Sequence, residues 1–242
     1  MNTAYSPWLV SPNAAPESAA EILSYLIDFA VLAPSSHNTQ PWQFRVNGDA
    51  LEVYADQARR LPVADPTDRQ LYISLGAALE NIERAAAAIG KSAVVRYVLD
   101  GDLAARVTVQ TGAYGVADAR TAMIARRSTR LPFALDPLAG PLVDGITAAG
   151  RGGTAVHLLQ ERPEVEAVAR INADASGRAL SDPVFRMELV KWVRNNWTKQ
   201  PDGMPGFVQN IPGPVSLLAP VIMRKVNIGP DQAKKDYALF AA

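Results

Sequence analysis

The chain has 242 residues, of which 48% are hydrophobic and 20% charged, a balance that supports a sizeable buried core and argues against long disorder. Lysine plus arginine and aspartate plus glutamate number 24 each, so the formal net charge is zero and favours neither nucleic acid nor an anionic membrane as a partner. The absence of cysteine excludes disulfides, thiolate metal sites and a cysteine nucleophile, and two histidines are too few for a multi-histidine zinc site.

The predicted elements begin after an extended arm over residues 1–15. Apolar residues at helical spacing predict a helix over about 16–33, which Pro34 ends. Alternation of apolar and polar residues over 42–46 and 51–54 predicts a β-hairpin around an Asn-Gly-Asp turn.

The strongest helical pattern covers residues 71–89, and the Asp-Pro-Thr-Asp stretch before it supplies capping residues. Gly76 lies inside this helix, where glycine costs about 1 kcal/mol against alanine, so a close backbone contact is expected there. Two further strands are predicted at 94–99 and 105–110, and a helix over about 117–127 follows them.

The second half of the chain is more mixed in character. Its pattern predicts a helix at 142–149, a strand at 155–160, and helices at 163–175 and 183–195. Prolines and glycines crowd residues 196–214, which predicts a loop or a lid.

The terminal and apolar segments bear on location. The first residues have neither the basic n-region nor the apolar h-region of a secretory signal. The longest apolar stretch, residues 214–223, is about half the length that a membrane helix needs, and Pro220 interrupts it. The sequence therefore predicts a cytoplasmic protein without a membrane partner.

Residues 33–44 read Ala-Pro-Ser-Ser-His-Asn-Thr-Gln-Pro-Trp-Gln-Phe and hold five short polar side chains between two rigid prolines. Hydroxyl and amide groups gathered in this way can hydrogen-bond a flat heterocycle, which predicts a ligand loop. The alternative is a plain connection whose serine and asparagine side chains cap backbone groups. His37, alone in this loop, is interpreted as a solvated side chain.

A second polar cluster, residues 126–130, reads Arg-Arg-Ser-Thr-Arg and puts three guanidinium groups and two hydroxyls into five residues. Such a group can hold a phosphate bidentately in an otherwise neutral chain. The alternative is that arginines at the C-terminus of a helix only complement the negative end of its dipole.

These segments resemble the nitroreductase family of FMN oxidoreductases. Residues 33–44 match the family's flavin-contacting pattern A-P-S-[SA]-x-N-x-Q-P-W-x-F at all twelve positions, residues 68–82 resemble its central helix, and the Arg-Arg-Ser segment resembles its phosphate site. The resemblance implies an α+β fold, a mixed sheet flanked by helices, with FMN as the cofactor. The residues that it implies at the flavin ring are Pro34, Ser35, Ser36 and Asn38. The residues that it implies at the phosphate are Arg126, Arg127, Ser128 and Arg130.

The order of the two motifs bears on domain organisation. In ordinary family members, which are homodimers with FMN at the interface, Arg-Arg-Ser precedes the flavin loop, whereas here it follows about ninety residues later. This order resembles the fused, double-length Acg-like branch, in which two halves share one FMN. It implies a complete first half, residues 16–119, and a second half, residues 120–242. The second half lacks the expected closing basic strand and ends on an apolar run, so a C-terminal truncation is expected.

The implied function is an FMN-dependent oxidoreductase that passes electrons from NAD(P)H through FMN to a nitroaromatic, quinone-like or other small acceptor. No catalytic acid or base is assigned, and Gln40 and Trp42 are interpreted as structural. Two alternatives stay open: a flavin-binding or flavin-sequestering protein without turnover, and a truncated remnant that binds no flavin. A homodimer is kept open as one assembly. The sequence has no G-x-G-x-x-G loop, so a Rossmann dinucleotide site is unsupported.

Overall fold

The computed structural model describes residues 16–112, 119–128, 136–150 and 153–241. The chain falls into two compact units. The first comprises Met1–Thr129 and Glu188–Pro220, and the second comprises Arg130–Met187 and Val221–Ala242. The predicted organisation into nitroreductase-like halves, 16–119 and 120–242, stays a prediction.

The first helix, α1, covers Ala19–Ala30 and begins at a capping box. The backbone N–H of Glu21 donates to Ser18 Oγ across 3.2 Å, and the backbone N–H of Ser18 donates to the Glu21 carboxylate across 2.9 Å. These reciprocal bonds satisfy backbone donors that a helix N-terminus leaves unpaired. The predicted helix is confirmed, and the capping box fixes its first residue.

Four strands form one antiparallel sheet in the order β1-β2-β4-β3. Their bounds are β1 Trp42–Asn47, β2 Ala50–Ala55, β3 Lys91–Asp100 and β4 Leu103–Thr111. The predicted hairpin and the two further predicted strands are confirmed, and the latter pair with each other. The predicted hairpin turns at Gly48, whose φ of +62° lies in the left-handed region that glycine adopts without a steric penalty. With the flanking helices, this sheet confirms the predicted α+β fold.

Helix α2, Arg69–Ala88, shares one buried core with α1 and the sheet. Apolar side chains drawn from both helices and from the central strands are almost completely shielded from solvent, and they include Leu26, Phe29, Leu51, Val53, Leu75, Ile82 and Val107. Burying such side chains is worth about 1.5–3 kcal/mol each, so this core holds the first unit together.

One detail of α2 agrees with the sequence prediction, and one differs from it. The cap comes from Asp65, whose buried carboxylate accepts the backbone N–H of Leu71 across 2.9 Å, whereas Asp68 forms an ion pair with Arg60. Apart from its chain neighbours and the backbone of its own helix, Gly76 has no described atom within 4 Å of the position that a Cβ would take. The expected close backbone contact at Gly76 is therefore wrong for the described part of the chain.

Short elements complete the first unit. Helix α3 covers Ala119–Ala125, and β5, Val193–Arg194, pairs in parallel with β6, Met204–Pro205. A 3-10 turn follows over Gly206–Gln209. Helix α7, Gly213–Lys225, begins in this unit.

The regular structure described in the second unit is helical. Its elements include α4 Gly140–Thr147, α5 Arg162–Ser181, most of α6 Pro183–Val190, and α8 Gly229–Phe240. Helices α5 and α8 pack closely at two glycines, since a Cβ at Gly229 would clash with the carbonyl oxygen of Gly177.

The sequence prediction for this half needs two corrections. The strand predicted at 155–160 is wrong, because residues 154–160 adopt no regular structure and no described strand pairs with them. The helix predicted at 183–195 ends at Val190, after which the backbone turns into β5. A membrane-spanning helix is not found among the described residues, since none of their helices combines the necessary length and apolar character.

Candidate functional site

The polar loop between α1 and β1 has an unusual backbone. His37, Asn38 and Gln40 have φ values of +51°, +53° and +52°, which places three residues out of four in the left-handed region. That conformation costs about 1 kcal/mol or more for a residue with a Cβ, and it persists only where neighbouring structure enforces it. The loop therefore depends on its contacts.

Ser35 supplies the contacts within the loop. Its carbonyl oxygen accepts the backbone N–H of Asn38 across 3.0 Å, and its Oγ accepts the backbone N–H of Gln40 across 2.9 Å. The backbone N–H of Thr39 donates to the carbonyl oxygen of Ser36 across 2.9 Å. Ser35 thus holds the loop together from within, which agrees with the interpretation that the serines cap backbone groups. Because Ser35 Oγ accepts this hydrogen bond, its hydroxyl proton can still be donated to a ligand.

Residues 201–203, called here the backing segment, supply the contacts from outside. Asn38 Nδ2 donates to the carbonyl oxygens of Gly203 and Pro201 across 3.0 and 3.4 Å. Gln40 Nε2 donates to the same Pro201 oxygen across 2.7 Å, and the backbone N–H of Gly203 donates to the backbone carbonyl oxygen of Asn38 across 3.0 Å. The predicted loop or lid at 196–214 therefore lies directly against the predicted ligand loop.

Two arginines hold the backing segment through Asp202. Arg59 Nη1 and Arg194 Nη2 each lie 2.9 Å from a different carboxylate oxygen of Asp202, and Arg59 also donates to the carbonyl oxygen of Thr39 across 2.8 Å. The side chains of Asp202 and Arg194 are only 18% and 15% exposed. Burial raises the pKa of Asp202, but the hydrogen bonds and charges of the two arginines outweigh it and bring the pKa below its usual value.

Arg126 connects the arginine cluster to the start of the same loop. Its Nη2 donates to the carbonyl oxygen of Leu32 across 2.8 Å, and its Nη1 lies 3.3 Å from Ser128 Oγ. Leu32 stands two residues before Pro34, so the structure brings together two motifs that are far apart in sequence. Burial, and secondarily the charge of Arg127, lower the pKa of Arg126.

Arg127 is exposed and donates to backbone carbonyl oxygens at the end of α3. Its Nη1 lies 2.6 Å from the oxygen of Ile124 and 2.8 Å from that of Arg126. This contact is the one expected if the arginine complements the C-terminal end of the helix. Arg130 lies outside the described residues.

A small cleft opens beside the loop, with free volume of about 10 Å³, room for roughly one water. Its lining includes Ser36, Thr39, Pro41, Arg59, Arg60, Leu61, Asp65, Leu71 and Ser74. Pockets for ligands of drug size hold roughly 300 Å³ or more, so a flavin ring would not fit inside this cleft.

The sequence prediction missed the residues that join distant segments. Arg59 and Arg194 gave no signal, because each looks like an ordinary charged residue until the fold brings it to Asp202. Glu188 is a further example, since its buried carboxylate accepts the backbone N–H groups of Val63 and Ala64 across 3.0 and 2.8 Å. The only available signal was the crowding of proline and glycine around residue 202, which predicted a loop or lid over residues 196–214.

No family model matches the chain, but comparison with known proteins finds relatives. A protein of Mycobacterium tuberculosis strain H37Rv, named "Putative NAD(P)H nitroreductase Rv3131", is 33% identical over 179 residues, which cover 72% of this chain and 51% of the relative. A second protein of that strain, named "Putative NAD(P)H nitroreductase acg", is 26% identical over 185 residues, which cover 71% of this chain and 54% of the relative. The chain spans about half the length of these curated relatives. These similarities support a nitroreductase-like family for the chain.

Proposed function

We propose that this chain acts as an FMN-dependent oxidoreductase of nitroreductase type, which passes electrons from NAD(P)H through FMN to a nitroaromatic, quinone-like or other small acceptor. The observation that carries the proposal is the contact between Arg126 and Leu32, which brings the arginine cluster to the start of the polar loop. The names of the M. tuberculosis relatives support the same reaction class.

The donor set of the two motifs fits FMN. A flavin ring offers carbonyl acceptors and an N–H donor, which suit the hydroxyl protons of Ser35 and Ser36 and the side-chain oxygen of Asn38. Asn38 Nδ2 and Ser35 Oγ already bind within the protein, so these two residues would shape the loop as well as contact the ring. Pro34 would add a rigid apolar contact beside them.

The phosphate of FMN suits the arginine cluster. Arg126 and Arg127 are adjacent and repel each other, and part of the Arg126 guanidinium is withdrawn from water. Both effects disfavour the charged form of Arg126, and a bound phosphate dianion would offset them. Ser128 Oγ lies beside Arg126 and adds a hydroxyl donor. Arg130 completes the proposed phosphate set.

The protein's part in the reaction is to bind and orient the cofactor. FMN, when bound, supplies the redox chemistry, since its ring accepts a hydride and releases electrons one or two at a time. The loop hydroxyls would fix the position of the ring, and the arginines would hold its phosphate. The remaining walls of the pocket would come from a longer chain with two nitroreductase-like halves or from a second copy, because this chain spans about half the length of its relatives.

The test starts with a titration of FMN into the purified protein, followed by flavin fluorescence. Steady-state oxidation of NADH and NADPH, with a nitroaromatic and a quinone as acceptors, then measures turnover. Binding with turnover is the expected result. Binding without turnover would instead support a flavin-sequestering protein, and the absence of binding would support the non-binding remnant.

A further inference from the structure

The polar loop of residues 35–40 and the backing segment are joined by hydrogen bonds. Three residues of the loop are in the left-handed conformation and need contacts that hold them there. The hydrogen bonds to Ser35 all come from residues within the loop. The side-chain amides of Asn38 and Gln40 both reach out to carbonyl oxygens of residues 201–203. The loop therefore keeps its shape only if the backing segment keeps its position.

The position of the backing segment is set by charge. The carboxylate of Asp202 stands between the guanidinium groups of Arg59 and Arg194, each 2.9 Å away. Arg59 also bonds the Thr39 carbonyl, so one side chain touches both the backing segment and the loop. Without the carboxylate, Arg59 would keep its ion pair with Asp56 at 3.3 Å, but nothing would hold its guanidinium beside that of Arg194, and the two cations would tend to move apart.

The backbone of the backing segment leaves little freedom for adjustment. Gly203 has a φ of +76°, and a Cβ at this residue would lie 2.6 Å from the carbonyl oxygen of Trp192. Only glycine fits there, so the segment lies close against the backbone of Trp192, the residue before β5. The carbonyl oxygens that receive Asn38 and Gln40 are fixed by this approach on one side and by Asp202 on the other.

We propose that Asp202 is a positioning residue, clamped by Arg59 and Arg194, which fixes the backing segment as the template for the polar loop of residues 35–40. The inference rests on the proposed function only in naming that loop as the flavin-contacting one. The clamp itself exists in the protein without flavin, so it can be tested without flavin.

The experiment is amide hydrogen exchange on the flavin-free protein and its Asp202→Asn variant. The amides of Asn38, Thr39, Gln40 and Gly203 are all hydrogen-bonded, so their exchange reports directly on the loop and its backing segment. In Asp202→Asn these amides are expected to exchange about tenfold faster or more, while the amides of α2 keep their wild-type rates. Asp202→Glu retains the charge and is expected to recover most of the protection.

A matched control removes an ion pair of the same type elsewhere. Asp174 and Arg178 lie 2.7 Å apart on the exposed face of α5, so Asp174→Asn is expected to leave exchange at residues 38–40 unchanged. The proposal is overturned if Asp202→Asn leaves the loop amides at their wild-type rates. It is overturned equally if loop and α2 accelerate by the same factor, or if Asp202→Glu behaves like Asp202→Asn.

The two proposals fail separately. A protein that binds no FMN in the titration but loses loop protection in Asp202→Asn would refute the proposed function and keep the clamp. A protein that binds FMN and shows unchanged exchange in Asp202→Asn would keep the function and refute the clamp.

Discussion

Arg126 Nη2 and the carbonyl oxygen of Leu32 are joined by a hydrogen bond of 2.8 Å across 94 residues of sequence. Leu32 follows Val31, the C-cap of α1, so its carbonyl lies just beyond the negative end of the helix dipole. A cation is the favoured partner for such a carbonyl. The contact therefore serves α1 and also places a charged group at the start of the polar loop.

The first prediction separates these two roles of Arg126. In Arg126→Ala, we expect FMN affinity to fall about tenfold or more, because a charge-assisted hydrogen bond is worth about 1.5–3 kcal/mol. Riboflavin, which lacks the phosphate, should bind the variant as it binds the wild type. Parallel titrations of both flavins measure the difference, and Arg84→Ala, which breaks an exposed pair with Glu80, serves as the control. An equal loss for both flavins would assign Arg126 to loop support alone.

The second prediction concerns the ring-facing residues. Ser36→Ala removes one hydroxyl and should weaken FMN and riboflavin alike by several-fold, since one hydrogen bond contributes about 1 kcal/mol net. Asn38→Ala should cost more, because it also removes the donor to Pro201 and Gly203. Fluorescence titration of both flavins against both variants measures the ranking. Wild-type affinity in both variants would remove these residues from the site.

Local patterns were enough to predict the helices and strands of residues 16–112. The glycine in the turn at Gly48 acts over a few residues, so the sequence alone reveals it. The capping box of Ser18 and Glu21 is equally local, but it was not predicted, and α1 begins three residues later than expected. The polar loop was visible for the same reason, because its short polar residues are contiguous. These features need no knowledge of distant contacts.

The missed features depend on distant partners. Asp202 meets Arg59 across 143 residues, and no spacing rule connects the two. The stretch 155–160 is rich in apolar residues, but no described strand pairs with it, and a strand forms only with a partner. Gly76 was expected to mark a close approach, yet open space surrounds it among the described residues, so propensity rules alone do not explain that glycine.

The third prediction compares two isoleucines on α2 that differ only in burial. Ile82 is fully buried and Ile73 is 52% exposed. Ile82→Ala should lower the free energy of unfolding by about 2–5 kcal/mol, because it removes buried methyl groups and leaves a cavity. Ile73→Ala should change the free energy by roughly 0.5 kcal/mol or less. Urea denaturation measures both, and a comparable loss at Ile73 would contradict the exposure of that face of the helix.

The sheet carries a buried carboxylate with an unusually low pKa. Glu52 accepts hydrogen bonds from the Tyr54 hydroxyl at 2.7 Å, from Arg106 Nη2 at 2.7 Å and from Asn47 Nδ2 at 3.1 Å, and its side chain is only 4% exposed. The bonds from Tyr54, Arg106 and Asn47 lower the pKa of Glu52 from 4.5 to about 2. The charged form is thus the one that the folded sheet favours.

The last prediction follows from the sign of that shift. A carboxylate whose pKa is lower in the folded state stabilises the fold above the pKa of the unfolded state, and this contribution is lost as the pH falls through the folded pKa. The free energy of unfolding should therefore decline between about pH 5 and pH 2, and Glu52→Gln, which cannot ionise, should show a shallower decline over that range. Tyr54→Phe, which removes the largest cause of the shift, should give an intermediate slope. Urea denaturation at half-unit pH steps measures the slopes, and a Glu52→Gln slope as steep as that of the wild type would assign the acid sensitivity to other carboxylates.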